Sequence, residues 1–313
     1  MINIKHIVSA VPKNYLNLEH SKKLKKIIRY SGFKRVHILR NNQTPKELIN
    51  FTISKFFFKT KTDPKNIDAL IFSSHTRSEE MPIFSASIQK EFKLRNNIFC
   101  YDLPNSCSGF TNALIHSYML VKSKIAKKIL IVCADAHSKI TKNVNLTPII
   151  GDGCSCILVE NLNKNIFSHD FGVDGNQNNA LRIETKNGKK NLVMDGLKVF
   201  EFAIKRVPET IKKIVHKSKH KLDRIDYFSF HQPNKTMLSH LLKKLYIKNE
   251  KVISTFQYGN TSSPSIPISL SSQFPNKTVN NKKFIFCGFG SGFQWSTVLI
   301  NLKKTLIYKV YYL

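Results

Sequence analysis

The apolar and polar positions of this chain follow one order that is written twice. In the first half, "KTDPKNIDALIFSSHT" places a polar loop before a short apolar run rich in β-formers. In the second, "KHKLDRIDYFSFHQP" does the same. Each run reads as a loop entering a buried strand. Amphipathic, helix-like segments precede them, "PKELINFTISKFFFK" and "GLKVFEFAIKRVPETIKKIVHK", and others follow, "PIFSASIQKEFKL" and "NKTMLSHLLKKLYI". Next, each half gives an apolar run and a Ser/Gly-rich turn into a helix: "NIFCYDLPNSCSGFTNALIHS" and "KVISTFQYGNTSSPSIPISLS". In the second of these, Ser263-Pro264 reads as an N-cap with proline at the first helical position. A lysine pair and a strand come after, "KKILIVCADA" and "KKFIFCGFGSG", and both halves end on a further apolar run, "CSCILVEN" and "WSTVLINL".

Strands alternating with helices imply an α/β fold with parallel or mixed sheets and helix-covered faces. The polar, Gly-containing stretch 161–175 marks the boundary, so the halves are expected to be 1–165 and 166–313. In this alignment Cys107 and Asn260 take equivalent places, each at a turn before a helix. His231 ends the strand "IDYFSFH", where open α/β sheets place ligands. The last residues, "TLIYKVYYL", read as a packed strand. No apolar stretch approaches the ~20 residues of a membrane span.

Charge changes the picture. Lys and Arg number 50 against 20 Asp and Glu, a net +30. The lysines are scattered, which reads mainly as compositional bias, yet the surface attracts anions. Nucleic acid is not the expected partner, because no zinc-finger spacing or RNP-like motif is present. The cysteines are Cys100, Cys107, Cys133, Cys154, Cys156 and Cys287. Their spacing suits no metal site, and their apolar surroundings fit a reduced, cytoplasmic protein.

Candidate chemistry gathers at Cys107. A thiol at a helix mouth is pushed toward thiolate, the nucleophilic form, and its own backbone N–H can serve an oxyanion. A buried structural cysteine is the competing reading. His231, in "HQPN", and Asn260, in "YGNTSSPSIP", supply an imidazole and a carboxamide that can both donate to a thioester carbonyl becoming an enolate. "CGFGSGFQWS" adds Gly288, Gly290 and Gly292, where backbone can approach a ligand closely.

At these segments the chain resembles the ketoacyl-acyl carrier protein synthase III family of the thiolase superfamily. "DLPNSCSGFTNAL", "IGDGCSCILVE", "MDGLKVFEFA", "FHQPN", "YGNTSSPSIPISL" and "FGSGFQWS" carry the resemblance, from about Ile67 to Leu302. It implies a duplicated five-layer α-β-α-β-α fold and a homodimer. It implies that Cys107 takes an acyl group from a thioester, and that His231 and Asn260 promote decarboxylation of a malonyl thioester. The N–H groups of Cys107 and Gly292 would form the oxyanion hole, with Gln232 and Asn234 as supports. The Gly151–Gly153 turn would be packing rather than catalysis. No resident cofactor or metal is expected, the acyl thioester itself being the substrate.

Departures bear on the donor. Trp295 is the only tryptophan, so the family's adenine-stacking aromatic is missing. Arg35 stands near the family's phosphate-binding arginine, and Pro233 replaces a small residue. An acidic acyl carrier protein, suited to the basic surface, becomes the expected main donor over coenzyme A. Two other readings stay open: an acyltransferase passing the group to an oxygen or nitrogen nucleophile, and a catalytically silent partner subunit.

Overall fold

The computed structural model describes residues 1–19, 24–76, 81–141, 143–232 and 234–313, without the side chains of residues 186 and 189. Pro233 lies outside the described residues. The first half runs β1 (Ile2–Val11), β2 (Tyr15–Asn17), α1 (Lys25–Ser31), β3 (Arg35–His37), α2 (Pro45–Thr60), β4 (Ala69–Ser73), α3 (Phe84–Glu91), β5 (Phe99–Leu103), α4 (Gly109–Lys122), β6 (Lys128–Ala136) and β7 (Asp152–Asn161). The second runs β8 (Phe167–Val173), β9 (Leu181–Lys186), β10 (Lys189–Met194), α5 (Gly196–Lys217), β11 (Tyr227–Phe230), α6 (Lys235–Leu245), α7 (Ser265–Gln273), β12 (Lys277–Val279), β13 (Lys282–Gly290), β14 (Gln294–Leu302) and β15 (Thr305–Tyr312).

Local chemistry starts the outer helices where the pattern places them. Thr44 and Glu47 form a reciprocal capping box ahead of Pro45 at the start of α2. Asp195 caps α5 and Asn234 caps α6 through their side chains. Helix α7 departs from expectation. Its cap is Pro264, without a side-chain bond. Ser263 is turned away because its hydroxyl and N–H both bind Asp135.

The duplication is visible in the sheets. One sheet has the order β12-β15-β1-β7-β6-β4-β5, the other β11-β13-β14-β8. Parallel β4–β6 matches parallel β11–β13. Antiparallel β6–β7 and β7–β1 match antiparallel β13–β14 and β14–β8. The stretch 161–175 therefore contains the counterpart of β1. Its strand β8 was hidden because its buried positions are polar: Asp170 receives Thr210 and pairs with Lys213. The run after α6 forms only one bridge, Phe228 to Val252. Ser229 and Gln232 side chains both take the Ile253 carbonyl there, so the ladder stops.

Residues 162–166 separate β7 of the first sheet from β8 of the second, and the expected boundary between 165 and 166 falls within them. The chain then crosses back, and β15 lies parallel to β1 in the first sheet. Five layers result. The central core joins the inner faces of both sheets to α4 and α7. Helices α2 and α3 cover the outer face of the first sheet, and α5 and α6 that of the second. Among the described residues, no helix is long and apolar enough to cross a membrane.

Candidate active site

A cavity of about 480 Å³ opens at the strand ends, and Cys107, His231 and Asn260 all line it. Cys107 stands two residues before the first residue of α4. Its sulfur meets Ser106 Oγ at 3.5 Å and Ser262 Oγ at 3.8 Å. The residue is half-buried and lines the cavity. Its acidity differs from the sequence expectation. Burial pushes the Cys107 thiol up to about 11, outweighing the bonds from Ser106 and Ser262, and Asp135 adds to the rise. That direction favours the neutral thiol at pH 7.

His231 follows β11, and its N–H binds the Cys287 carbonyl at 2.8 Å. Its Nδ1 meets Ser265 Oγ at 2.9 Å, and the Phe289 ring packs edge-on against the imidazole. Burial lowers its pKa to about 3, with nearby His137 contributing. The imidazole is neutral at pH 7.

Asn260 is held by backbone on both sides. Its N–H binds Ile149 O at 2.7 Å, and its carbonyl accepts from Gly151 N at 2.9 Å. Its Oδ1 accepts from Ser262 N at 2.9 Å, which leaves the amide NH₂ as the free donor end. The "IGDG" turn thus fixes Asn260. Asp152, in that turn, is fully buried and accepts from Leu39 N and from Ser138. It does not line the cavity.

The glycine against the sulfur is Gly290. A Cβ there would come within 2.9 Å of Cys107 Cβ and 3.1 Å of Sγ. Gly292 also lines the cavity, with φ 121, a backbone that side-chain-bearing residues rarely adopt. Gln232 is buried, donating to Ser269 and the Ile253 carbonyl and accepting from Thr255 N. Asn234 lines the cavity while capping α6 through Met237 N at 2.7 Å. Arg35 is exposed, its guanidinium over the Tyr15 ring at 5.2 Å, and is not a wall residue of the cavity.

Several site residues went unread in the sequence. Buried Asp135 accepts from Ser74, His75 N, Thr76 and both donors of Ser263, tying β4, β6 and the α7 turn together. His75 and His137 line the cavity, and Tyr30 stands there half-exposed. The β9–β10 hairpin supplies Leu181, Ile183 and Leu192, which pack with Leu146 and Ile150 as an apolar wall.

Comparison with known proteins places this geometry in a class. The fold is shared with a solved 3-oxoacyl-(acyl-carrier protein) synthase from Burkholderia xenovorans LB400, with a TM-score of 0.92 and 24% identity over 100% of this chain and 97% of that one. It is shared also with the priming β-ketosynthase of the R1128 polyketide pathway, with a TM-score of 0.89 and 21% identity over 97% of each chain. The family model described as 3-oxoacyl-[acyl-carrier-protein (ACP)] synthase III matches residues 101–175, and its C-terminal companion matches 215–302. The β-ketoacyl-[acyl-carrier-protein] synthase III of Lactococcus lactis subsp. cremoris strain MG1363 is 31% identical over 290 residues, covering 87% of this chain and 89% of that protein. The one from Staphylococcus haemolyticus is 30% identical, covering 89% and 90%. The chain is a thiolase-fold acyl-transferring enzyme, and it belongs to the β-ketoacyl-[acyl-carrier-protein] synthase III family.

Proposed function

We propose that the chain condenses an acyl thioester with a malonyl thioester, and that Cys107, His231 and Asn260 carry the reaction. The supporting observation is that a thiol, a neutral imidazole and a fixed amide donor line one cavity. Cys107 sulfur attacks the acyl carbonyl, the donor thiolate leaves, and that thiolate takes the Cys107 proton. The N–H groups of Cys107 and Gly292 receive the oxyanion in this step. The malonyl thioester then loses carbon dioxide. His231 and Asn260 donate hydrogen bonds to the enolate oxygen, which favours the neutral imidazole that burial enforces. The enolate carbon attacks acyl-Cys107, and the Cys107 thiolate departs and takes a proton from solvent, the one proton that the decarboxylative condensation consumes.

An acidic acyl carrier protein suits the net charge of +30 as donor. Coenzyme A is the lesser donor, with Arg35 and the cavity-lining Tyr30 its available contacts. A homodimer joined at edge strand β5 accounts for the exposure of Phe99, Met119 and Phe171 on neighbouring elements. Six free cysteines fit a reducing cytoplasm.

The test is to supply acyl and malonyl thioesters and follow carbon dioxide and a ketoacyl product. Both should appear together and vanish with Asn260→Ala. An ester or amide product with malonyl thioester unconsumed would overturn the reading in favour of simple acyl transfer.

A further inference from the structure

The two N–H groups that would receive the oxyanion come from opposite halves of the chain. Cys107 follows β5 in the first half, and Gly292 lies in the turn between β13 and β14 in the second. One hydrogen bond joins those segments. Asn105, two residues before Cys107, donates from its side-chain amide to Gln294 Oε1 at 2.5 Å. Among the described residues, no other hydrogen bond links the turn 104–107 to the loop 290–294. Both residues are half-buried, and neither is a wall residue of the cavity.

Each end of the bridge is anchored in its own half. The Asn105 carbonyl accepts from Ser73 Oγ, at the end of β4, at 3.1 Å, and its N–H binds Leu103 O at 2.8 Å. Gln294 opens β14 and pairs with Gly290 on one side and Val173 on the other. Its side chain lies beside Gly292. A Cβ on that glycine would have Gln294 Cβ and Cγ as its nearest neighbours, both at 3.6 Å. The same loop is tied elsewhere by Ser291 Oγ to Leu181 O and by Phe293 N to Asp174 O. Those bonds reach β9 and the end of β8, whereas the Asn105–Gln294 bond reaches the nucleophile turn. An oxyanion needs both donors within hydrogen-bond distance of one point, and a misplacement of about 1 Å costs up to about a hundredfold in rate.

We propose that the Asn105–Gln294 amide bridge holds the Cys107 and Gly292 N–H groups at the spacing an oxyanion requires, so that Asn105 and Gln294 are positioning residues for acyl transfer. This rests on the acyl-Cys107 reading above and adds the residues that set its oxyanion hole. The bridge acts wherever charge gathers on the acyl carbonyl oxygen: as Cys107 attacks the donor thioester, and as the enolate attacks acyl-Cys107. It has no part in a reaction of the same sulfur that forms no oxyanion. Alkylation by iodoacetamide is such a reaction. The sulfur–carbon bond forms, the carbon–iodine bond breaks, iodide leaves, and the thiol proton passes to solvent.

The experiment follows two reactions of Cys107 in the full chain by intact and peptide mass: acylation by butyryl-pantetheine and alkylation by iodoacetamide. Gln294→Ala should slow acylation by about tenfold to a hundredfold and leave alkylation close to the wild-type rate. Asn105→Ala should do the same. Asn105→Gln combined with Gln294→Asn exchanges the two amides across a span of unchanged length, and it should recover most of the lost acylation. A wild-type acylation rate in Gln294→Ala overturns the inference and leaves the acyl-Cys107 reading standing. Equal losses in both reactions do so too, since the bridge would then merely hold the sulfur in place. An exchanged pair no faster than the single variants also overturns it. A wild type that alkylates at Cys107 but takes no butyryl group overturns both.

Discussion

At the mouth of α4, Cys107 stands against the bare backbone of Gly290; at the mouth of α7, Ser263 is pinned to the Asp135 carboxylate. The two turns are counterparts. Gly109 N binds Ser106 O in one, and Ser265 N binds Ser262 O in the other, which sets Cys107 opposite Ser263. The facing positions are counterparts as well. Asp68 N binds Lys128 O and Asp226 N binds Lys283 O, so residue 135 stands to Lys128 as residue 290 stands to Lys283. One duplicated frame has thus been specialised in opposite directions. Where a carboxylate faces the turn, hydrogen bonds close it, and the turn becomes a rigid bracket for Asn260 and Ser262. Where glycine faces it, the space belongs to the Cys107 sulfur and, in the proposed reaction, to its acyl group. Each mouth is completed by the other half, since Gly290 follows Cys107 by most of the chain and Asp135 precedes Ser263.

The largest break in this comparison removes the proposed nucleophile. Cys107→Ala should abolish the acyl adduct and reduce turnover by about 10⁴-fold or more. Moving the thiol should not restore it. In Cys107→Ser with Ser263→Cys, the transplanted sulfur faces Asp135, a neighbour that opposes the thiolate, and intact mass should show no thioester adduct. An adduct on residue 263 would mean that the two mouths are chemically interchangeable.

Two milder changes separate the mouths. Asp135→Asn replaces an acceptor-only group with one that carries its own donors, against neighbours that are themselves donors. Denaturant unfolding should show a loss of ~3 kcal/mol. The condensation step, which needs the Asn260 turn, should suffer more than acyl loading. Gly290→Ala works on the other mouth. Its Cβ would press the Cys107 side chain at 2.9 Å, shifting the sulfur and slowing acyl loading by about tenfold to a hundredfold. Stability should change little by comparison. If Gly290→Ala loads normally, close approach at that glycine is not what makes the first mouth reactive.

How far this design shows in the sequence depends on which forces encode it. The repeated lysine pair before a strand and the two Ile-Asp loops are local signals, and they place β4, β6, β11 and β13 correctly. Helix α5 matches its amphipathic segment from Gly196 to Lys217. Strand β8 was missed because alternation fails when the buried face is polar. The β9–β10 hairpin had a readable signal in Asn187-Gly188, which take φ 50 and 71 between paired strands. The pairing of the mouths was read with Asn260, three residues before the true counterpart Ser263. Two Ser/Gly-rich turns look alike in sequence, and only their hydrogen bonds fix the register. Asp135 and His137 are single polar residues closing an apolar run, "ILIVCADAH", and nothing local says that one ties three elements together while the other faces a cavity. The expected acidic thiol failed for a related reason. The helix mouth is visible in sequence, but the depth of burial that outweighs it is a property of the packed molecule.

The smallest effect comes from pH, and it tests whether the two halves meet as a neutral pair. Burial pushes the Cys107 thiol of the first half up to about 11 and the His231 imidazole of the second down to about 3, so both are uncharged at pH 7. For His231 the folded value lies below the ordinary 6.5. The unfolded chain then binds more protons between about 3 and 6.5, and this group's contribution to stability is lost as pH falls through that window. Between pH 7 and 6 the loss should be under about 1 kcal/mol. His6 and His37 are also lowered by burial, but they titrate alike in the wild type and in His231→Asn. The difference between those two proteins isolates His231, and it should shrink as pH falls from 7 to 6. A thiolate–imidazolium pair would raise the histidine's folded pKa instead, and the same difference would then grow on acidification.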